Sequence, residues 1–150
     1  MIIRKAKETD MDAFIELCRA MYAEADFKNM EFSEDKCRAF CLVVMATGLA
    51  IVVEKDARLV GMFGAGLQQH IFTNTFMSMD YLIYVIPEYR GTRIADRMLK
   101  IYIEWALAHK IKRENIYIGI NAGINTEKIE RFYSKIGFKR TGVNLRLQEV

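Results

Sequence analysis

The sequence predicts one α/β (α+β) domain in which a mixed sheet is flanked by about four helices. Three observations carry this expectation. Apolar periodicity switches between helical and extended repeats in the order βααβββαβαβ. The stretch GLAIVVEKDARLVGMFGAGL reads as two strands joined by a polar turn. The segment from Thr75 to Ile86 is apolar on both alternating sets, so both of its faces should be covered. At 150 residues the chain can bury about two-thirds of its unfolded surface around one core, and residues 1–150 are read as a single domain.

A short strand from Ile2 to Lys5 opens the chain. Thr9 or Asp10 is placed to cap a helix from about Asp12 to Ala25, with Phe14, Leu17, Cys18 and Met21 on one face. Ser33 caps a second helix whose apolar positions Cys37, Phe40, Cys41 and Val44 recur at helical spacing, and Gly48 ends it. The hairpin follows, turning at Lys55 to Arg58, and then the strand from Thr75 to Ile86. Pro87 stops that strand, because a central ladder excludes proline. A helix to about His109, a strand from Asn115 to Ile120, a helix from Thr126 to Ile136 and a last strand near Val143 to Leu147 complete the reading.

Composition excludes several function classes. Hydrophobic residues make up 52% and charged residues 27%, the proportions of a soluble globular protein rather than a disordered one. The net charge is +3 with lysine and arginine scattered, so no nucleic-acid footprint is expected, although a local anion site is compatible with it. No signal peptide is expected from MIIRKAKETD, and no apolar run is long enough to cross a bilayer. Three cysteines, an odd count, fit free thiols in a reducing cytoplasm. Cys37 and Cys41 could share a helix face, but neither His70 nor His109 has zinc-site spacing to them, so no metal is expected.

YVIPEYRGTRIADRM poses the functional question. Arg93 and Arg97 face outward at the start of a helix, where they oppose its dipole by some tenths of a kcal/mol each. A bound anion reverses that sign. The turn offers unpaired N–H groups, and Gly91 lets the main chain approach a ligand closely, which is how phosphate is held at a helix N-terminus. The spacing matches neither GxGxxG nor GxxxxGK[ST]. An ordinary turn with solvated arginines is the alternative.

VIPEYRGTRIADRML resembles the acetyl-CoA signature of the GNAT superfamily of N-acetyltransferases, [Q/R]-x-x-G-x-[G/A] at a strand-turn-helix junction. Arg90 and Ala95 match its first and sixth positions, whereas Arg93 stands at the usual glycine. IIRKAKETDMDAFIEL, VVEKDARLVG and IERFYSKIGFKRTG resemble family segments in the same order. The resemblance implies a mixed, mostly antiparallel central sheet. It implies coenzyme A as part of an acetyl-CoA cosubstrate, its pyrophosphate on Arg90, Gly91, Thr92, Arg93, Ile94 and Ala95. The pantetheine arm would lie beside Ile83, Tyr84 and Val85, where two strands splay apart.

Amine acetylation needs a neutral amine. A lysine-like amine is neutral only about once in 2500 at pH 7, a deficit of roughly 4.6 kcal/mol, so a base or a desolvating site must help. The attack builds negative charge on oxygen and expels a thiolate that benefits from a proton donor. The resemblance places Tyr133 at the donor position, while its spacing with Ile129, Phe132 and Ile136 also suits a packed core aromatic. Asp80 is the lone charged residue between Ile71 and Pro87, either the base or a satisfied carboxylate at a bulge; Leu82 stands where family members often carry glutamate. Asn125 either contacts the coenzyme or caps the helix.

These features point to a cytoplasmic, acetyl-CoA-dependent N-acetyltransferase acting by direct transfer to an amine in a ternary complex. The alternative is a coenzyme-binding regulatory module without catalysis. The acceptor is expected near Tyr22 to Ser33 and Gln68 to Asn74, the first carrying Glu24, Asp26 and Glu31. Met and Phe side chains between Gln68 and Met79 offer a surface for a homodimer.

Overall fold

Alternating and helical periodicities resolve into nine main elements. The computed structural model of the protein describes residues 1–27 and 29–148. They are β1 (Ile2–Lys5), α1 (Met11–Glu24), α2 (Glu34–Thr47), β2 (Leu49–Lys55), β3 (Arg58–Gln69), β4 (Phe76–Val85), α3 (Ile94–Ala108), β5 (Ile116–Tyr117) and α4 (Thr126–Ile136). The strands form one sheet in the order β1-β2-β3-β4-β5. Three neighbouring pairs are antiparallel and β4–β5 is parallel. Among the described residues, no helix is long and apolar enough to cross a membrane.

Adjacent residues of β3 show which helices cover which face. Met62 meets Cys18 of α1, whereas Phe63 packs on Tyr102 of α3 with ring centroids 5.1 Å apart. Neighbouring strand residues point to opposite faces, so α1 covers one side and α3 the other. The core lies between them, with Val52, Val53, Met62, Phe63 and Ala65 fully buried in β2 and β3 and Met98, Leu99 and Tyr102 fully buried in α3.

Local signals account for most boundaries. Ser33 accepts a hydrogen bond from the Lys36 amide at 3.3 Å and caps α2 as expected. Gly48 ends α2 for an additional reason, since a Cβ there would lie 2.3 Å from the Ala65 carbonyl oxygen of β3. The β2–β3 turn carries Asp56 and Ala57, both at positive φ, which is the twist a two-residue hairpin needs without its usual glycine. Asp10 precedes α1 but does not cap it with its side chain, which instead accepts from Arg4 and the Lys7 amide.

Four expectations are corrected. The strand expected over Asn115–Ile120 shortens to Ile116–Tyr117, and none forms at Val143–Leu147, where Leu145 and Leu147 are 92% and 94% exposed. The alternation of Val143, Leu145 and Leu147 suits a strand, but a strand exists only where an edge accepts its ladder. Asn144 and Arg146 instead engage the side chains of Asn121 and Asp26. Finally, β4 is not covered throughout: Phe76 and Tyr81 are exposed, and Phe40, expected on the buried face of α2, is half exposed against the Tyr81 ring.

Candidate functional site

The site begins where two parallel strands part. β4 and β5 pair only at Ser78–Ile116 and Met79–Tyr117. One residue further, the Asp80 carboxylate takes over from the ladder, its Oδ1 accepting the Gly119 amide at 2.7 Å. A bulge in the β3–β4 register, with Gly64 opposite Leu82 and Ala65 opposite Asp80, leaves Tyr81 as the extra residue. Beyond it, Leu82 to Val85 pair with β3 and have no strand on the other side.

Register places Asp80 on the face covered by α3, because its partner Ala65 lies two residues from Phe63. Burial, opposed by the Gly119 amide, raises its carboxyl to about 6. Tyr133 reaches the same side from α4, packed on Phe132 and Phe138. Burial first, and then the Asp80 charge, push the Tyr133 hydroxyl well above the ordinary tyrosine range. No side-chain N or O among the described residues is buried without a partner, so the Tyr133 hydroxyl, which makes no internal hydrogen bond, opens onto the adjoining cleft. That cleft, of about 930 Å³, runs between β5, α4 and residues 138–144 and is lined by Ile118, Gly119, Tyr133, Ser134 and Phe138.

The other end of the open β4 edge runs into the turn. Pro87–Tyr89 make one 3-10 turn, Gly91 follows at φ +75, and Arg93 immediately precedes α3. Open space surrounds the Gly91 Cα, so its φ and not crowding requires glycine. Thr92 Oγ1 donates to the Tyr89 carbonyl at 2.7 Å and accepts from the Ile94 amide. Among the described residues, the amides of Gly91, Thr92, Arg93, Ala95 and Asp96 find no protein acceptor. They are the free donors of a helix start.

The three arginines of this segment do different things. The Arg93 side chain is 85% exposed at the helix start, with a loose 3.9 Å contact to Asp96, and Arg97 is exposed one turn on. Arg90 folds back: its Nε donates to the Val85 carbonyl at 2.8 Å and its guanidinium pairs with Glu24 at 2.8 Å, above the Tyr84 ring. Tyr84 also donates to Glu24 at 2.5 Å. Burial would raise the Glu24 carboxyl, but hydrogen bonds from Tyr84 and Arg90 outweigh it and hold it below the usual range. Burial and then the Glu24 contact push Tyr84 up to about 12.

Sequence reasoning missed three features of this arrangement. Glu24 as the anchor of Arg90 joins residues 66 apart, which no local pattern shows. Tyr102 holds the splay: its hydroxyl donates to the Tyr117 carbonyl at 2.7 Å and meets Ser78 Oγ at 3.0 Å. Here a signal existed, since Ser78 and Asp80 are polar, two apart, and share a strand face. The acidic segment from Tyr22 to Ser33 also differs from expectation. Glu24 is engaged as described and Asp26 pairs with Arg146, so Glu31 is left of the three, and Lys28 lies outside the described residues. Asn125 stands at the start of α4 at φ 47 with no side-chain capping bond, which removes the capping reading and leaves its amide free.

Comparison with known proteins puts these features in context. The family profile described as acetyltransferase (GNAT) domain matches residues 46–140. Among solved structures, an aminoglycoside antibiotic 6'-N-acetyltransferase from Acinetobacter haemolyticus superposes with a TM-score of 0.75 at 17% identity, covering 100% of this chain and 99% of its own. A ribosomal-protein-alanine N-acetyltransferase from Brucella melitensis gives 0.72 at 19%, covering 99% and 100%. A predicted acetyltransferase with acetyl-CoA from Clostridium acetobutylicum gives 0.74 at 18%, covering 98% and 95%. At these identities the superpositions show a shared fold. No curated protein matches the sequence.

Proposed function

The chain belongs to the GNAT acetyltransferase family, and on that premise we propose that it transfers an acetyl group from acetyl-CoA to a primary amine, directly, within a ternary complex. The observation that carries this is the open β4 edge beyond Met79, bounded by five free amides at one end and by Asp80 and Tyr133 at the other. An elongated ligand with an anionic group in its middle fits that layout.

The residues that would hold acetyl-CoA are those of the turn and the edge. The amides of Gly91, Thr92, Arg93 and Ala95, with Ile94 closing the first turn beneath them, bind the pyrophosphate, and the exposed Arg93 adds charge to it. Arg90 works through its fold-back onto Glu24 and Val85, which fixes the shape of the turn. The edge of Ile83, Tyr84 and Val85 lies along the pantetheine arm, and Asn125 lies at the α4 end of that path. Acetyl-CoA supplies the activated acyl group.

With its carboxyl near 6, Asp80 is ionised at neutral pH yet basic enough to take the proton of an ammonium, directly or through water. Tyr133 keeps its proton at neutral pH and gives it to the departing thiolate. The charge that develops on oxygen is best met by a fixed main-chain N–H. Cysteine plays no covalent part, since all three thiols lie on α1 and α2. The same reading takes residues 1–150 as one catalytic domain and places the protein in the cytoplasm, which suits its free thiols. It also includes a homodimer through the β3–β4 loop, where Ile71 and Phe72 are 85% and 83% exposed.

Isothermal titration with acetyl-CoA tests the binding half. The native chain binds, and Arg90→Ala and Arg93→Ala each weaken binding. Thiol release with a panel of amines tests the chemistry: Tyr133→Phe keeps acetyl-CoA binding and loses about 10²–10⁴-fold in turnover. Absence of acetyl-CoA binding by the native chain would refute the reading.

A further inference from the structure

The fold gathers every cysteine of the chain at one point. Cys18 comes from α1, and Cys37 and Cys41 lie one helical turn apart on α2. Their three Sγ atoms all lie within 4.8 Å of one another, and the Met62 Sδ of β3 lies 3.8 Å from Cys18 Sγ. Cys18 and Cys41 are buried, and Cys37 is partly open to solvent, which leaves an entry path. Four sulfurs thus converge from three elements, with no oxygen or nitrogen ligand among them.

We propose that Cys18, Cys37 and Cys41 form a binding site for a single thiophilic, low-coordinate monovalent ion of the copper(I) class, with the Met62 thioether as a weaker fourth donor. With metal–sulfur bonds of about 2.3 Å, the donors of a trigonal site sit about 4 Å apart, close to the spacing of within 4.8 Å seen here. The donor set decides the ion. Thiolate and thioether sulfur select soft cations. Structural zinc takes four strong ligands in a tetrahedron, and an iron–sulfur cluster four cysteines, whereas only three thiols are present here.

Charge is provided for as well. The guanidinium groups of Arg19 and Arg38 lie near the partly open Cys37, where they offset the negative charge of a thiolate site. Each thiol that ligates releases its proton to solvent, so no oxidant or reductant is needed. Occupation ties α1 to α2. Because Glu24 is the last residue of α1, the site stiffens the element that anchors Arg90.

The test uses the full chain, fully reduced and free of oxygen. Tetrakis(acetonitrile)copper(I) is titrated in competition with a chromogenic copper(I) chelator, and copper X-ray absorption counts the neighbours of the bound ion. One equivalent is expected, with sulfur alone in the first shell and zinc sulfate unable to displace it. Cys37→Ser, at the partly exposed position, should weaken copper binding at least about tenfold, the effect of losing even an outer partner of a bound metal. Its metal-free melting curve should match that of the native chain. The sulfur count on the native protein answers the question without any substitution. Uptake below one equivalent, oxygen or nitrogen in the first shell, displacement by zinc, or copper affinity unchanged in Cys37→Ser would overturn the proposal.

Discussion

Replacing Asp80 by asparagine separates what its burial costs the fold from what it offers to chemistry. Burial raises the carboxyl from 3.8 to about 6, while the Gly119 amide pulls the other way. Between those two values the folded chain holds a proton that the unfolded chain has already released. Stability therefore falls as pH rises through this interval: the contribution of the protonated form is complete below about pH 4 and gone above about pH 6. At about 1.4 kcal/mol per tenfold change in proton affinity, an ionised Asp80 at neutral pH costs the fold on the order of 3 kcal/mol. The amide of Asp80→Asn carries no charge and its oxygen keeps the Gly119 bond, but its NH2 group needs a partner of its own. The variant should therefore be about 3 kcal/mol more favourable relative to the native chain at pH 8 than at pH 4, any cost of an unpaired NH2, about 1–3 kcal/mol, being the same at both. Urea unfolding followed through the lone tryptophan, Trp105, at a series of pH values reads it directly. The same variant should bind acetyl-CoA and fail to acetylate amines. A stability difference between variant and native chain that does not grow from pH 4 to pH 8 would show that Asp80 is an ordinary satisfied carboxylate, and the assignment of the base would fall with it.

Three further outcomes follow from other parts of the structure. Tyr102→Phe removes the hydroxyl that joins Ser78 to the Tyr117 carbonyl, and should cost about 1–3 kcal/mol in denaturant unfolding and blunt turnover more than folding alone explains. Gly91→Ala meets no atom but forces alanine to φ +75, so it should lose about 1–2 kcal/mol of stability and weaken acetyl-CoA binding in the same calorimetric assay. Ala57→Gly relieves a non-glycine residue at φ 60 in the β2–β3 turn. It should raise the melting free energy by up to about 1 kcal/mol with no effect on binding, and a loss of stability would refute the strain.

Element identities were legible in the sequence because they rest on short-range physics. The α4 boundaries at Thr126 and Ile136, the Ser33 cap and the Pro87 stop each follow from a few neighbouring residues. Free amides before α3 belong to the same class, since a glycine-bearing turn into a helix leaves them unpaired wherever it occurs. The outward course of Arg93 is read from helical spacing alone. Tertiary structure decided whatever depends on partners far along the chain. It made Arg90 a brace on Glu24, ended the β4–β5 ladder at Met79, and brought the Asp80 charge close enough to Tyr133 to raise its hydroxyl. It withheld a ladder from Val143–Leu147, whose alternation is a capacity that only a willing edge converts into a strand. The cysteines show the division most plainly. Spacing in the sequence brings Cys37 and Cys41 within one helical turn, but only the packing of α1 on α2 over β3 adds Cys18 and Met62. A hydrophobic core chooses its neighbours by shape and burial, not by order along the chain.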